Sequence, residues 1–85
     1  MKSNADPDRH REGLEGAKRL YLLKKHRSPH TVEFIEDPDD SWFVYVAKIK
    51  NTTKKFESFT MIIAKDVENF LDSHVRDGWT IEKTS

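Results

Sequence analysis

The fold of this chain is decided by the stretch SWFVYVAKIK, residues 41–50. It is rich in β-branched and aromatic residues and has the length of a strand. The polar segment 51–55 predicts a hairpin turn into a further strand over 56–64. On the other side, the acidic turn 37–40 separates it from another strand candidate at 31–36. Together these segments predict an antiparallel sheet of three strands.

Helix signals flank the predicted strands. A first helix is predicted from Asp6-Pro7 to Arg27. Asp6 suits the N-cap and Pro7 the first helical position. It should end at Ser28-Pro29, because a residue before proline avoids the helical conformation. A second helix is predicted from residue 65 or 66 to 77, with Gly78 ending it. The apolar spacing of that helix predicts that Phe70 is fully buried.

The order of these elements predicts one α+β domain over residues 6–82. Its two layers would follow the order α-β-β-β-α, with both helices on one face of a small antiparallel sheet. Residues 80–82 would add a short fourth strand. Residues 1–5 and 83–85 are expected to be tails.

Composition excludes several classes of site. The 85 residues contain no cysteine, so disulfides, thiolate metal sites and cysteine nucleophiles are absent. The four histidines have no metal-ligand spacing, and no glycine-rich phosphate loop occurs. No apolar run occurs at the amino terminus, which favours a soluble cytoplasmic protein with no membrane partner. We therefore expect a non-enzymatic protein without cofactor or metal.

A first functional hypothesis is a protein-binding module of the adaptor or inhibitor type, with a second copy of the chain as one candidate partner. Both faces of the strand at 41–50 are apolar, so helices on one face would leave the other for contacts. The alternative is that the tail and the Trp79 segment cover that face. The proposed contact residues are Leu22, Leu23, Trp42, Val44 and Val46.

The expected core lies on the opposite face of the same strand. A slip of one residue in strand register would invert the two faces and make Trp42, Val44 and Val46 core instead. The expected core residues are Leu14, Ala17, Leu20, Tyr21, Phe34, Tyr45, Ile49, Phe59, Met61, Ile63, Val67, Phe70, Leu71 and Val75.

Nucleic-acid binding is the alternative hypothesis. Fifteen basic residues balance fifteen acidic ones, but residues 1–35 carry eight basic against five acidic residues. A spacing of seven would align three of these basic residues along the first helix. The competing explanation is that cations complement a helix carboxyl terminus and that lysines protect a sheet edge. The candidate phosphate contacts are Arg11, Lys18, Lys25, Arg27, Lys48, Lys50, Lys54 and Lys55.

The predicted α-β-β-β-α order resembles that of double-stranded-RNA-binding domains, which read RNA shape and backbone. Those domains carry a lysine cluster at the start of their last helix. The corresponding segment here, residues 64–68, has one lysine and two acids. The resemblance therefore concerns only the order of the elements, and the RNA-binding function of those domains is not inferred for this chain.

Overall fold

The structure, a computed structural model, describes residues 17–84. Within them the chain forms five strands, one short 3-10 turn and one α-helix. These elements are β1 (Arg19–Lys25), β2 (His30–Glu36), β3 (Phe43–Lys50), β4 (Phe56–Ile63), the 3-10 turn Ala64–Asp66, α1 (Val67–Arg76) and β5 (Trp79–Thr84).

The strands form one antiparallel sheet in the order β4-β3-β2-β1-β5. The first four strands are a simple meander, in which each strand pairs with the next in sequence. Helix α1 then carries the chain from one edge of the sheet to the other, where β5 pairs with β1. The protein is thus a mixed α+β fold dominated by its sheet.

The helix divides the sheet into two faces. The helix face holds the main core, built around Leu23, Val32, Phe34, Val44 and Ile62, with Val67 and Trp79 closing it. The opposite side, which we name the second face, carries a smaller cluster. That cluster consists of Ile35, Ala47 and Ile49, with Ala17, Tyr45, Phe56 and Phe59 packed against it.

The predicted first helix is wrong where the structure describes it, because residues 19–25 form β1; residues 6–16 lie outside the described part. The run Leu20-Tyr21-Leu22-Leu23 would spread apolar side chains all around a helix. A strand between β2 and β5 instead has two faces to cover, and alternate residues supply both. Leu23 is fully buried on the helix face, whereas Leu22 lies half-buried on the other.

The predicted choice of sheet face is also wrong. Val44 is buried in the main core and Val46 packs against it, while Trp42 stays 70% exposed in the turn before β3. The two faces of β3 are similarly apolar, so alternation alone does not decide which one the helix covers. The register is therefore the inverted one, apart from Trp42.

Several expected core residues consequently occupy other positions. Tyr45, Ile49 and Phe59 belong to the second-face cluster, and Leu14 lies outside the described residues. Phe70 is 37% exposed, so the prediction of full burial is wrong. Met61, Ile63 and Val75 are also exposed.

The carboxyl-terminal predictions fare better. The helix predicted from 65 or 66 to 77 is observed as the 3-10 turn and α1. Gly78 has φ +102°, the left-handed conformation expected of the residue that ends a helix. The strand expected at 80–82 is longer, since β5 reaches Thr84 and includes part of the predicted tail. Five strands also depart from the order of double-stranded-RNA-binding domains.

Candidate functional site

The two odd-numbered turns of the meander lie side by side at one end of the sheet. Asn51, after β3, joins them by donating its backbone N–H to the carbonyl of Pro29 at 2.8 Å. Its side-chain oxygen accepts a hydrogen bond from the hydroxyl of Thr31, and its amide nitrogen lies 3.5 Å from the carbonyl oxygen of Ser28. The β1–β2 and β3–β4 turns are thus tied into one unit.

This junction gathers basic side chains that are far apart in sequence. Among the described residues, the acids near this end are Glu57 and Asp77. We name this surface the basic end. Its lysines and arginines are Lys24, Lys25, Arg27, Lys48, Lys50, Lys54, Lys55 and Arg76.

The opposite end of the sheet is acidic. It contains the β2–β3 turn and the connection from β4 to α1. The basic residues at this end are Lys18 and Arg19, at the start of β1, and Lys65 in the connection. Strands of seven or eight residues separate the two ends by roughly 25 Å. We name this surface the acidic end, and its acids are Glu36, Asp37, Asp39, Asp40, Asp66 and Glu68.

A groove of about 560 Å³ opens on the helix face at the basic end. It lies between the carboxyl end of α1 and the strands below it. Alternation along β1, β2 and β3 directs Lys25, His30 and Lys48 toward this side. We name it the basic groove, and it is lined by Lys25, Ser28, His30, Lys48, Ser73, His74, Asp77 and Trp79.

Lys25 is the best positioned cation of the basic groove. Its Nζ lies 3.5 Å from Oδ2 of Asp77 and 5.8 Å from the centroid of the Trp79 ring. The Asp77 side chain is 74% exposed, so this ion pair contributes little to stability. The carboxylate and the indole instead hold the ammonium group at the groove, where it remains accessible to an anion.

The two histidines of the groove have different neighbours. Nδ1 of His74 lies 2.8 Å from the carbonyl oxygen of Phe70, which can only accept, so this nitrogen carries the proton. His30 has Nε2 3.5 Å from a carboxylate oxygen of Glu57. Because the His74 ring also packs edge-on against Phe34 and Trp79, it links the groove to the main core.

Both turns at the basic end contain a basic residue in the left-handed conformation. Arg27 has φ +63° and Lys54 has φ +61°, and they are the non-glycine residues with positive φ in the described chain. This conformation costs a non-glycine residue on the order of 1–3 kcal/mol, and glycine adopts it freely. A charged side chain is therefore retained at each turn where glycine would be less strained.

Most of the candidate phosphate contacts lie together at the basic end, although the predicted first helix does not bring them there. Lys25, Arg27, Lys48, Lys50, Lys54 and Lys55 all belong to the basic end. Lys18 does not, because its carbonyl accepts a hydrogen bond from Glu36 at the acidic end. Arg11 lies outside the described residues. Lys18 and Lys25, two of the three residues predicted to align along the first helix, therefore lie at opposite ends of the sheet.

The protein-binding candidates do not form one surface. Leu23 and Val44 are buried in the main core, and Val46 and Leu22 are half-buried, so only Trp42 is freely accessible. Sequence reasoning missed Met61 and Ile63, which are 54% and 42% exposed on β4. Both residues were predicted to belong to the core.

A hydrogen bond joins the second face to the acidic end. The hydroxyl of Tyr45 donates to Oδ2 of Asp37 at 2.9 Å, and its ring stacks on Phe59. Burial, together with the hydrogen bond and the negative charges of Asp37 and Asp39, raises the pKa of Tyr45 to about 12. The phenol thus stays protonated and serves as a structural donor.

Sequence reasoning also missed Asn51, because its turn was interpreted only as a polar hairpin. Two absences complete the description of residues 17–84. No group of three or more His, Asp or Glu side chains there is arranged to hold a metal ion, and no helix is long and apolar enough to cross a membrane. Comparisons of the chain with known protein families, curated proteins and solved structures found no match.

Proposed function

We propose that this protein is a non-catalytic nucleic-acid-binding module that holds the phosphate backbone at its basic end. The observation that carries the proposal is the joining of two basic turns by Asn51. Cations brought together from distant parts of a chain release counterions when they bind phosphates, and this release drives association.

The basic groove supports the proposal in more detail. Lys25 and Lys48 can neutralise one phosphate, while the hydroxyls of Ser28 and Ser73 can donate hydrogen bonds to its oxygens. The tips of the turns, with Arg27 and Lys54, then reach neighbouring phosphates. Contacts of this kind fix position and orientation on the strand without reading its sequence.

The charge separation of the molecule supports the same function. With zero net charge, the protein has no general attraction to polyanions. The acidic end is repelled by the backbone while the basic end is attracted, so the protein should approach nucleic acid in one orientation. We therefore expect the loss of charges at the basic end to weaken binding far more than the loss of charges at the acidic end.

The decisive test replaces the two strained basic residues with glycine. Arg27→Gly with Lys54→Gly should leave the free energy of unfolding unchanged or raised, because glycine relieves the positive-φ strain. It should weaken binding to labelled 20-nucleotide DNA and RNA, single-stranded and duplex, measured by fluorescence anisotropy. The slope of log affinity against log salt should fall by about 1.4 on single strands and 1.8 on duplex, for two lost contacts.

The matched control removes two charges from the other end. Lys18→Gln with Lys65→Gln should retain or increase affinity, because both lysines lie at the acidic end. If both double variants weaken binding equally, the basic end is not the site. If the unchanged protein gives no anisotropy change in low salt at tens of micromolar, nucleic-acid binding is ruled out.

A second candidate function, binding another protein, rests on a separate observation. Met61 and Ile63 are exposed on the second face of β4, and Trp42 is exposed in the turn before β3, where its carbonyl accepts a hydrogen bond from the backbone N–H of Ala64 at 2.7 Å. Trp dominates many protein interfaces, and exposed apolar patches mark them. Capture of a partner from nuclease-treated lysate, and its loss in Trp42→Ser, is the expected result for an adaptor or inhibitor.

A further inference from the structure

Strand β4 is an open sheet edge that is regular over residues 58–63, and its pairing with β3 is irregular only at residues 56–58. It is the outermost strand, and its outer side has no strand neighbour among residues 17–84. Its sequence FESFTMII holds one charge, Glu57, and no proline. Edge strands of soluble proteins usually carry lysines, prolines or other features that prevent pairing. The opposite edge strand β5 has two charged residues, so the two edges differ.

From this edge we infer that the protein forms a homodimer in which β4 pairs antiparallel with β4 of a second copy. Such an interface is a two-fold contact in which each copy offers the same strand. The free backbone groups of the two edges would satisfy each other and make one continuous ten-stranded sheet. This inference is independent of nucleic-acid binding.

The charges favour a second copy in the antiparallel direction. Lys54 and Lys55 precede β4 at the basic end, while Lys65, Asp66 and Glu68, with a net charge of −1, follow it at the acidic end. Antiparallel pairing therefore sets the lysines of one copy beside the acids of the other, at both ends of the interface. Parallel pairing would place like charges together and is disfavoured.

The apolar side chains of β4 on the second face define the register. Phe59, Met61 and Ile63 pair with β3 residues of the second face, so all three lie on that face. The second faces of the two copies lie on the same side of the joined sheet only if odd-numbered residues of one β4 lie opposite odd-numbered residues of the other. Placing Met61 opposite Met61 meets this condition and sets Phe59 opposite Ile63 twice, which brings Met61 and Ile63, the exposed large apolar residues of β4, into the interface.

The absence of cysteine makes a direct test possible. Met61→Cys gives a chain with one thiol, and thiols directly opposite in an antiparallel pair are close enough for a disulfide. We expect Met61→Cys to form a covalent dimer in mild oxidant at least tenfold faster than Val75→Cys. Val75 is a matched control because it is 47% exposed and lies on α1, away from the edge.

Analytical ultracentrifugation of the full chain over 1–200 µM supplies the second readout. The unchanged protein and Val75→Lys should reach twice the monomer mass, whereas Met61→Lys should raise the dimer dissociation constant at least tenfold by opposing two lysines at the axis. The inference is overturned by a monomer at every concentration, by a dimer that Met61→Lys leaves intact, or by equal oxidation of the two cysteine variants. None of these results depends on nucleic acid.

Discussion

Two phenylalanines provide the sharpest test of the fold, because the same truncation should have different consequences at each. Phe34 lies on the central strand β2 and is 0% exposed, with its ring edge-on to Tyr21 at 6.0 Å and to His74 at 5.7 Å. Phe70 lies on α1 and keeps 37% of its surface exposed. Each is changed to alanine, so the chemistry of the substitution is identical.

The expected losses follow from burial. Phe34→Ala leaves a cavity closed on all sides and should cost about 4 kcal/mol of unfolding free energy. Phe70 borders solvent, so Phe70→Ala leaves no closed cavity. Only the burial free energy of roughly two thirds of the side chain is lost, about 1–2 kcal/mol. The better helix propensity of alanine returns roughly 0.5 kcal/mol of this. We therefore expect a net cost of about 1 kcal/mol for Phe70→Ala.

Thermal and urea unfolding followed by circular dichroism measure both losses. For a domain of this size, about 4–8 °C of melting temperature accompany each kcal/mol. Phe34→Ala should thus melt at least 16 °C lower, and Phe70→Ala about 4–8 °C lower. Equal shifts would mean that Phe70 is a core residue, as its helical spacing predicts, and that the observed packing of α1 is incorrect.

Four further substitutions test particular positions. Val44→Lys should unfold the protein by burying an unpaired charge, whereas Trp42→Lys should change stability by less than about 0.5 kcal/mol, in the same assay. Gly78→Ala should cost about 1–3 kcal/mol in urea unfolding, because φ is +102° and the new Cβ would lie 3.3 Å from Cε of Lys25. The absorbance difference between the unchanged protein and Tyr45→Phe should show phenol ionisation near pH 12. Since the unfolded phenol ionises near pH 10, Tyr45 contributes stability that is complete below pH 10 and lost toward pH 12, a loss absent in Tyr45→Phe.

The parts of the fold that could be predicted are those with strong local signals. The strand expected at 31–36 is observed as β2, and the stretch at 41–50 contains β3. Gly78 ends α1 for a reason visible in the sequence, since only glycine adopts positive φ without strain. These features depend on a few neighbouring residues, and no distant contact alters them.

β1 could not be predicted because its pairing is distant in sequence. Residues 19–25 have good helix formers, yet they pair with β2 and with β5, which lies more than fifty residues away. Tertiary pairing on both sides outweighs a weak local preference. Which face of the sheet forms the main core could not be predicted for a related reason. Both sides of β3 are apolar, and the position of α1 determines which becomes the main core.

The misassigned strand also hid the candidate site. In a meander, successive turns alternate between the two ends of the sheet, so the first and third turns must meet. Once residues 19–25 are a strand, the turn holding Arg27 and the turn holding Lys54 become that first and third pair. The acidic second turn and the β4–α1 connection fall at the other end. A chain with no net charge is thereby folded into a molecule with two oppositely charged ends. The proposed phosphate contacts depend on that separation, and so do the complementary charges that two antiparallel copies of β4 would bring together in the inferred dimer.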